Sequence, residues 1–143
     1  MASINPYLNF PGNTEEAFNF YKSVFGGEFI TLQRFGKMPG CDGGEVSAAD
    51  QEKIMHIALP IGGNVLMGTD ALESMGQQLA DGNNFSISVN ADSEAEADKL
   101  FAALSAGGSI QMPLEKAFWG AYFGALKDKF GIQWMINYDY GQK

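Results

Sequence analysis

The sequence GNTEEAFNFYKSVFGGE, residues 12–28, has the features of a complete amphipathic helix. Asn13 is a typical N-cap residue, and Glu16, three residues later, is its reciprocal partner in a capping box. The apolar residues that follow recur at helical spacing and form one stripe: Ala17, Phe18, Tyr21, Val24 and Phe25. Because two glycines then end the pattern, we predict one short helix with a single buried face.

Residues 92–108, DSEAEADKLFAALSAGG, repeat this design. Ser93 and Glu96 form a second capping box, and two glycines again follow the helical pattern. The residues of the second apolar stripe are Ala97, Leu100, Phe101 and Leu104. Two helices with the same start signal, stripe and stop signal indicate an internal duplication.

Extended runs of apolar or alternating residues surround both helices. One run precedes each helix and three follow it: PYLNF, FITLQRF, IMHIALPI and NVLMGTD in the first half, and FSISV, SIQMP, AYFGALKD and IQWMINY in the second. Residues 36–52 consist mainly of turn-forming types and predict a loop. The sequence therefore predicts an α+β fold of two βαβββ modules, about residues 1–72 and 83–143, within a single domain of residues 1–143.

Composition and charge exclude several classes of partner. The chain of 143 residues has a net charge of −8 and its nine basic residues are scattered, so we expect no nucleic-acid partner. No run of ~18 apolar residues is present, and no basic segment followed by an apolar one opens the chain. We therefore expect no membrane partner and a cytoplasmic location. The single cysteine, Cys41, excludes an internal disulfide, and no histidine near it in the sequence marks it as a nucleophile.

This order of elements resembles the glyoxalase/bleomycin-resistance/dioxygenase (vicinal oxygen chelate) superfamily, and in particular its PhnB-like branch. The resemblance lies in NFPGNTEEAFNFYKSVFGGE in the first half and in MPLEKAFWG and DKFGIQWMIN in the second. It implies a homodimer, and modules whose strands form an incomplete, barrel-like sheet around a cleft. For the catalytic members it also implies a bound divalent metal. Its ligands are a His or Gln at the start of each module's first strand and a Glu on each last strand.

On this sequence, those ligand positions fall at Pro6 and Met67 in the first module and at Asn84 and Met135 in the second. Asn84 offers one carbonyl oxygen, whereas proline and methionine cannot bind a hard divalent cation. We therefore expect no metal, no cofactor, and a cleft that is apolar around the two methionines. The PhnB-like branch is sometimes described as a ubiquinone-pathway methyltransferase, but the sequence has no glycine-rich strand-to-helix turn of the kind that adenosyl cofactors use.

The final strand is predicted to divide its side chains between two faces, because successive residues of a strand point in opposite directions. The uniformly apolar set is predicted to lie in the core: Ile132, Trp134 and Ile136. The mixed set is predicted to face the cleft and to contact a small organic ligand, as Met67 does: Gln133, Met135 and Asn137.

The aromatic residues upstream of this strand, Phe118, Trp119 and Phe123, have two interpretations. In the first, they pack in the core or in a dimer interface. In the second, they form a wall that contacts the ligand, and Gly120 and Gly124 would allow this wall to move. Both interpretations are consistent with the sequence.

His56 is the only histidine of the chain, and it lies on the strand face opposite Ile57. A lone histidine is usually structural, whereas a cleft-facing one can contact a ligand and is the one candidate for a general base. Asp70 ends its strand and is predicted either to form a turn or to contact the ligand at the mouth of the cleft. Glu115 and Asp128 have the same two interpretations.

Three hypotheses of function are consistent with these residues. The leading one is a metal-free homodimer that binds a small, partly apolar organic ligand, with the question of catalysis left open. The second is a metal-dependent lyase or dioxygenase that uses non-standard ligands. The third is a structural or interaction dimer without a ligand, in which the aromatic residues form the dimer interface.

Overall fold

The computed structural model of the protein describes residues 2–36, 47–72, 78–80 and 82–141. The contacts within the chain divide it into two compact units, Met1–Ala80 and Asp81–Lys143. Cys41 and most of the predicted loop lie outside the described residues. Within the described part of the chain, no helix combines the length and the apolar character that crossing a membrane requires.

The described residues of the first unit form four strands and two helices. They are β1 (Tyr7–Phe10), α1 (Thr14–Phe25), β2 (Thr31–Arg34), α2 (Ala48–Gln51), β3 (Ile54–Ile61) and β4 (Asn64–Asp70). The strands form a sheet in the order β1-β4-β3-β2, in which β1 is parallel to β4 and the other neighbours are antiparallel. The first strand of the unit therefore pairs with its last strand.

The part of the second unit that the structure describes repeats this arrangement with four strands and one helix. They are β5 (Ile87–Asn90), α3 (Glu94–Ser105), β6 (Ser109–Ala117), β7 (Ala121–Lys127) and β8 (Gln133–Asp139). The sheet order is β5-β8-β7-β6, and the first strand is again parallel to the last. The α+β class and the predicted order of elements are confirmed. Among the described residues, α2 is an addition in a region predicted as loop, and Ser47 Oγ caps it by accepting a hydrogen bond from the Asp50 N–H.

The two long helices, α1 and α3, begin in different ways. At α3, Ser93 Oγ accepts a hydrogen bond from the Glu96 N–H at 3.0 Å, as the capping box predicts. At α1, the side chain of Asn13 forms no capping hydrogen bond. The Thr14 N–H donates instead to the carboxylate of Asp70 at 3.0 Å. The predicted capping role of Asn13 is therefore wrong, because an acid at the end of β4 replaces it.

Each long helix packs over a glycine in the sheet of its own unit. A Cβ added at Gly68 on β4 would lie 2.6 Å from the ring of Phe18 on α1. A Cβ added at Gly124 on β7 would lie 2.7 Å from the ring of Phe101 on α3. The sheet face that contains these glycines is therefore covered by the long helix. We call the opposite face of each sheet its helix-free face.

Replacing Gly68 with alanine tests this contact. We expect Gly68→Ala to lower the free energy of unfolding by about 1–3 kcal/mol, because the added methyl group overlaps the buried ring of Phe18. Gly63→Ala is the matched control, since a Cβ there would meet nothing within 4 Å. Urea unfolding of both variants measures the difference, and an equal effect of the two substitutions would contradict the proposed steric role.

Candidate functional site

Four side chains on the helix-free face of the second unit form one row across the sheet. The register pairs Glu115 of β6 with Phe123 of β7, Phe123 with Asn137 of β8, and Asn137 with Asn90 of β5. Gly124 lies beneath α3, so its neighbour Phe123 points away from that helix. Directly paired residues share a face. We call Glu115, Phe123, Asn137 and Asn90 the second-unit row.

An equivalent row crosses the first sheet. Gln33 of β2 pairs with His56 of β3, and Asn9 of β1 pairs with Thr69 of β4. Ile57 of β3 pairs with Gly68 of β4, and His56 and Thr69 are the next residues of these two strands. Since Gly68 faces α1, both residues lie on the helix-free face, next to each other. We call Gln33, His56, Thr69 and Asn9 the first-unit row.

The imidazole of His56 has a defined orientation within the first-unit row. Its ring stacks on that of Tyr7 with 5.6 Å between centroids, and the Tyr7 hydroxyl lies 3.2 Å from Nδ1. Nε2 has no hydrogen-bond partner among the described residues. His56 therefore combines a structural contact with one nitrogen that is available to a ligand.

The two methionines predicted to lie in the cleft occupy equivalent places on the helix-free faces. Met67 is two residues before Thr69 on β4, and Met135 is two residues before Asn137 on β8. Met67 pairs with Tyr7 on β1, and Met135 pairs with Ser88 on β5. Each methionine is therefore paired with a hydroxyl-bearing residue of the first strand.

Both first-strand positions that the resemblance gives for metal ligands, Pro6 and Asn84, lie before their strands. Pro6 precedes β1, and its carbonyl accepts a hydrogen bond from the Met67 N–H at 3.0 Å. Asn84 lies upstream of β5. Within the described ranges, no three His, Cys, Asp or Glu side chains come together as a metal site requires. Methionines paired with a tyrosine and a serine do not fit the divalent metal of the superfamily's catalytic members.

The aromatic residues of the β6–β7 hairpin form an exposed cluster. Phe118 is 97% exposed and Trp119 is 56% exposed. Their rings meet edge to face at 5.1 Å, and the Trp119 ring contacts that of Phe123 at 5.8 Å. We call Phe118, Trp119 and Phe123 the aromatic cluster. Core packing within the chain is therefore wrong for Phe118 and Trp119, while a dimer interface and a ligand wall both stay predictions.

Trp134 lies in the core, as predicted, with 1% of its surface exposed. Its Nε1–H donates to the carboxylate of Asp128 at 2.8 Å. The other oxygen of Asp128 accepts hydrogen bonds from the N–H groups of Phe130 and Ile132 at 2.8 and 3.0 Å. Asp128 therefore has the turn-forming role, and it connects the turn to the core.

Asp70 has a structural role in place of the predicted ligand contact at the mouth of the cleft. The residue is 2% exposed. Its carboxylate accepts from the Thr14 N–H at 3.0 Å, from the Thr14 hydroxyl at 2.6 Å and from the Ile54 N–H at 2.8 Å. This acid therefore holds the start of α1 against the start of β3.

Gln133 is also held by its own unit. Its side-chain N–H donates to the Phe85 carbonyl at 2.7 Å, and its oxygen accepts from the Gln111 amide at 3.2 Å. Asn137 donates to Asn90 at 3.3 Å, and both Asn137 and Met135 are half-buried. Asn137 and Met135 are therefore better placed than Gln133 to contact a ligand.

On the helix-covered face, two tyrosines bind the first turns of α3. The Tyr122 hydroxyl donates to Asp98 at 2.6 Å, and this bond raises the pKa of the Tyr122 phenol. The Tyr140 hydroxyl donates to Glu94 at 2.7 Å. Partial removal from water and the bond with Glu94 raise the pKa of Tyr140 to about 12. Both phenols are therefore neutral hydrogen-bond donors near neutral pH.

Sequence reasoning missed Tyr7, Asn9 and Asn90 as site residues. The sequence feature that could have indicated the two asparagines is the composition of the first strands. These strands, YLNF and ISVN, each contain an asparagine near the end. Both asparagines pair with the last strand of their unit, and Tyr7 lies two residues before Asn9 on the same face. A parallel first and last strand is a long-range pairing, which local sequence patterns do not specify.

The structural role of Asp70 leads to a stability prediction. We expect Asp70→Asn to lower the free energy of unfolding by about 2–4 kcal/mol, because the amide has one acceptor oxygen for three buried donors. Glu28→Gln is the control, since it removes an exposed ion pair with Lys22 that is worth less than about 1 kcal/mol. Urea unfolding at neutral pH compares them, and a cost for Asp70→Asn no larger than that for Glu28→Gln would exclude this role.

The chain is similar to proteins of a known family over nearly its whole length. Residues 2–137 match the family described as 3-demethylubiquinone-9 3-methyltransferase. Protein YjdN of Escherichia coli (strain K12) is 33% identical over 140 residues, which cover 94% of this chain and 93% of that protein.

Solved structures show the same architecture. Protein PA1353 from Pseudomonas aeruginosa is 41% identical with a TM-score of 0.84, over 97% of this chain and 98% of that chain. The PhnB protein from Bacillus cereus is 28% identical with a TM-score of 0.76, over 96% and 99% of the two chains. A glyoxalase-related enzyme from Fulvimarina pelagi shares the fold at 19% identity and a TM-score of 0.63, over 97% and 89%.

Proposed function

The chain belongs to the family described as 3-demethylubiquinone-9 3-methyltransferase, the PhnB-like branch of the glyoxalase/bleomycin-resistance superfamily, and we propose that it binds a small, partly apolar organic molecule. The proposed contacts lie on the helix-free faces of the sheets. In the second unit they are the aromatic cluster and the second-unit row, and the first unit has candidate contacts of its own, His56 and Met67.

The observation that carries this proposal is the exposed ring surface of Trp119 beside Phe123, with the amides of Asn137 and Asn90 in the same row. Small-molecule sites combine apolar and aromatic surface with a few polar groups that orient the ligand. Aromatic side chains also supply a large contact area at a low cost in conformational entropy. The second unit has both components on one sheet face.

His56 gives the first unit a polar binding group of its own. An imidazole held by Tyr7 through Nδ1 presents Nε2 in a fixed direction, so it can recognise a polar group of a ligand. The same geometry favours a second candidate function, in which His56 acts as a general base. A metal-dependent reaction has no such support, because the residues around Met67 and Met135 do not fit the metal.

The methyltransferase activity in the family's description is not part of the proposal. In the described connections from strand to long helix, residues 11–13 and 91–93, Gly12 is the single glycine. Adenosyl and dinucleotide cofactors are commonly bound by a glycine-rich turn at this place in a fold. Neither connection has that composition.

Quinoline, a planar probe that is uncharged at pH 7.5, tests the proposed ligand surface. We expect it to change the emission of Trp119, while Trp134 stays shielded at 1% exposure. Trp119→Ala should weaken quinoline binding at least about fivefold in calorimetry, because an aromatic contact of about 1 kcal/mol is lost. Phe85→Ala is the matched control, as Phe85 is 62% exposed and outside the aromatic cluster. Absence of binding, or an equal effect of both variants, would refute the proposal.

We also propose a homodimer, which the superfamily resemblance implies. Large apolar side chains are exposed on the equivalent outer strands β2 and β6: Leu32, Ile110 and Met112. Exposed apolar surface of this kind often marks a protein interface. Sedimentation equilibrium should give twice the chain mass of 15.5 kDa at micromolar concentration. A particle of one chain mass would rule out the dimer.

A further inference from the structure

We propose that the second-unit row selects a planar aromatic ligand that has a positive charge, and that Glu115 is the residue that recognises this charge. The inference rests on the proposed function, because it names the class of ligand that the same surface binds.

The position of Glu115 follows from two independent observations. It pairs directly with Phe123, so both side chains lie on the helix-free face. Its neighbour Lys116 points to the other face, where its ammonium lies 5.7 Å from the ring of Tyr140, and the Tyr140 hydroxyl binds Glu94 of α3. Since successive side chains of a strand alternate, Glu115 faces away from α3 and toward Phe123.

The carboxylate of Glu115 is not neutralised by its surroundings. It is exposed and forms no hydrogen bond or ion pair with the described residues. Lys127 shares the helix-free face, but it lies four residues from Phe123 along β7, or about 13 Å. The negative charge beside the aromatic cluster is therefore available to a ligand.

A second carboxylate adds to the negative field on this face. Asp139 lies two residues after Asn137 on β8 and pairs with Ala121, so it points to the same side as Phe123. Glu115 and Asp139 thus lie on either side of the Phe123 position, on the two strands that flank β7. One oxygen of Asp139 accepts the Gly141 N–H, which fixes the carboxylate without removing its charge.

These groups together favour a cationic ring over a neutral or an anionic one. The faces of Trp and Phe rings attract cations through their negative π-electron density. The adjacent carboxylates add a direct electrostatic attraction, and the chain's net charge of −8 disfavours an anion in general. The amides of Asn137 and Asn90 remain suited to any polar substituent and do not discriminate by charge.

Calorimetric titration with 1-methylquinolinium and quinoline separates the effect of charge from that of the ring. The two probes share the same fused rings, and only the first has a permanent positive charge. We expect the folded wild-type chain to bind 1-methylquinolinium at least about fivefold more tightly than quinoline, because a cation beside an exposed ring contributes about two- to fivefold and the adjacent carboxylates add to it. The preference should weaken as salt is added, because the carboxylates are exposed.

Glu115→Gln tests the named residue. It should weaken 1-methylquinolinium binding at least about threefold more than it weakens quinoline binding, since the exposed charge pair that is lost exists only with the cation. Glu16→Gln, which removes an exposed charge from α1 on the helix side of the first sheet, is the control and should change neither affinity.

Equal affinity of the two probes for the wild type, or a Glu115→Gln variant with an unchanged preference, would overturn this inference and leave the proposed function intact. Failure of both probes to bind would overturn the proposed function itself, and this inference with it.

Discussion

Both units depend on the same steric constraint, which is the contact between an aromatic ring of the long helix and a glycine of the sheet. Gly68 pairs with Ile57 across β3 and β4, and Gly124 pairs with Ile136 across β7 and β8. The glycine lies on the last strand of the first unit but on the next-to-last strand of the second, and the isoleucine takes the other strand in each case. In both units the phenylalanine of the long helix lies over the glycine. Any side chain at the glycine would force the helix outward, so this contact fixes the helix and the face that it covers.

Once one face of each sheet is covered, the alternation of side chains assigns a different environment to each neighbouring residue. Polar groups that point toward the helix must find partners within the unit, as the Asp70 carboxylate does with Thr14 and Ile54. Polar groups on the other face have no such requirement. Glu115 and the Nε2 atom of His56 therefore keep binding capacity that the fold does not use.

The sequence predicts the elements of this fold better than their pairing. Helical stripes and glycine stops are local signals, and both long helices and most strands lie where the pattern predicts. Asn13 shows the limit, because its typical cap signal is overridden by Asp70, 57 positions later in the chain and adjacent only after β4 has formed. The two first strands also begin later in the chain than Pro6 and Asn84, the positions that the resemblance gives for their starts. Ser88 rather than Asn84 lies next to Met135, since the parallel β5–β8 register is set by long-range packing.

The duplication also explains how one backbone plan presents two different surfaces. His56 and Phe123 occupy equivalent positions on their sheets, as do Gln33 and Glu115, whereas the first strands keep an asparagine at the same place in both rows. The first-unit row is therefore a set of hydrogen-bonding groups, and the second is an aromatic ring beside a carboxylate. The helix-covered faces cannot diverge in this way without disturbing the packing over glycine. Functional differences between the two units therefore have to be argued from the residues of the helix-free rows rather than from the fold.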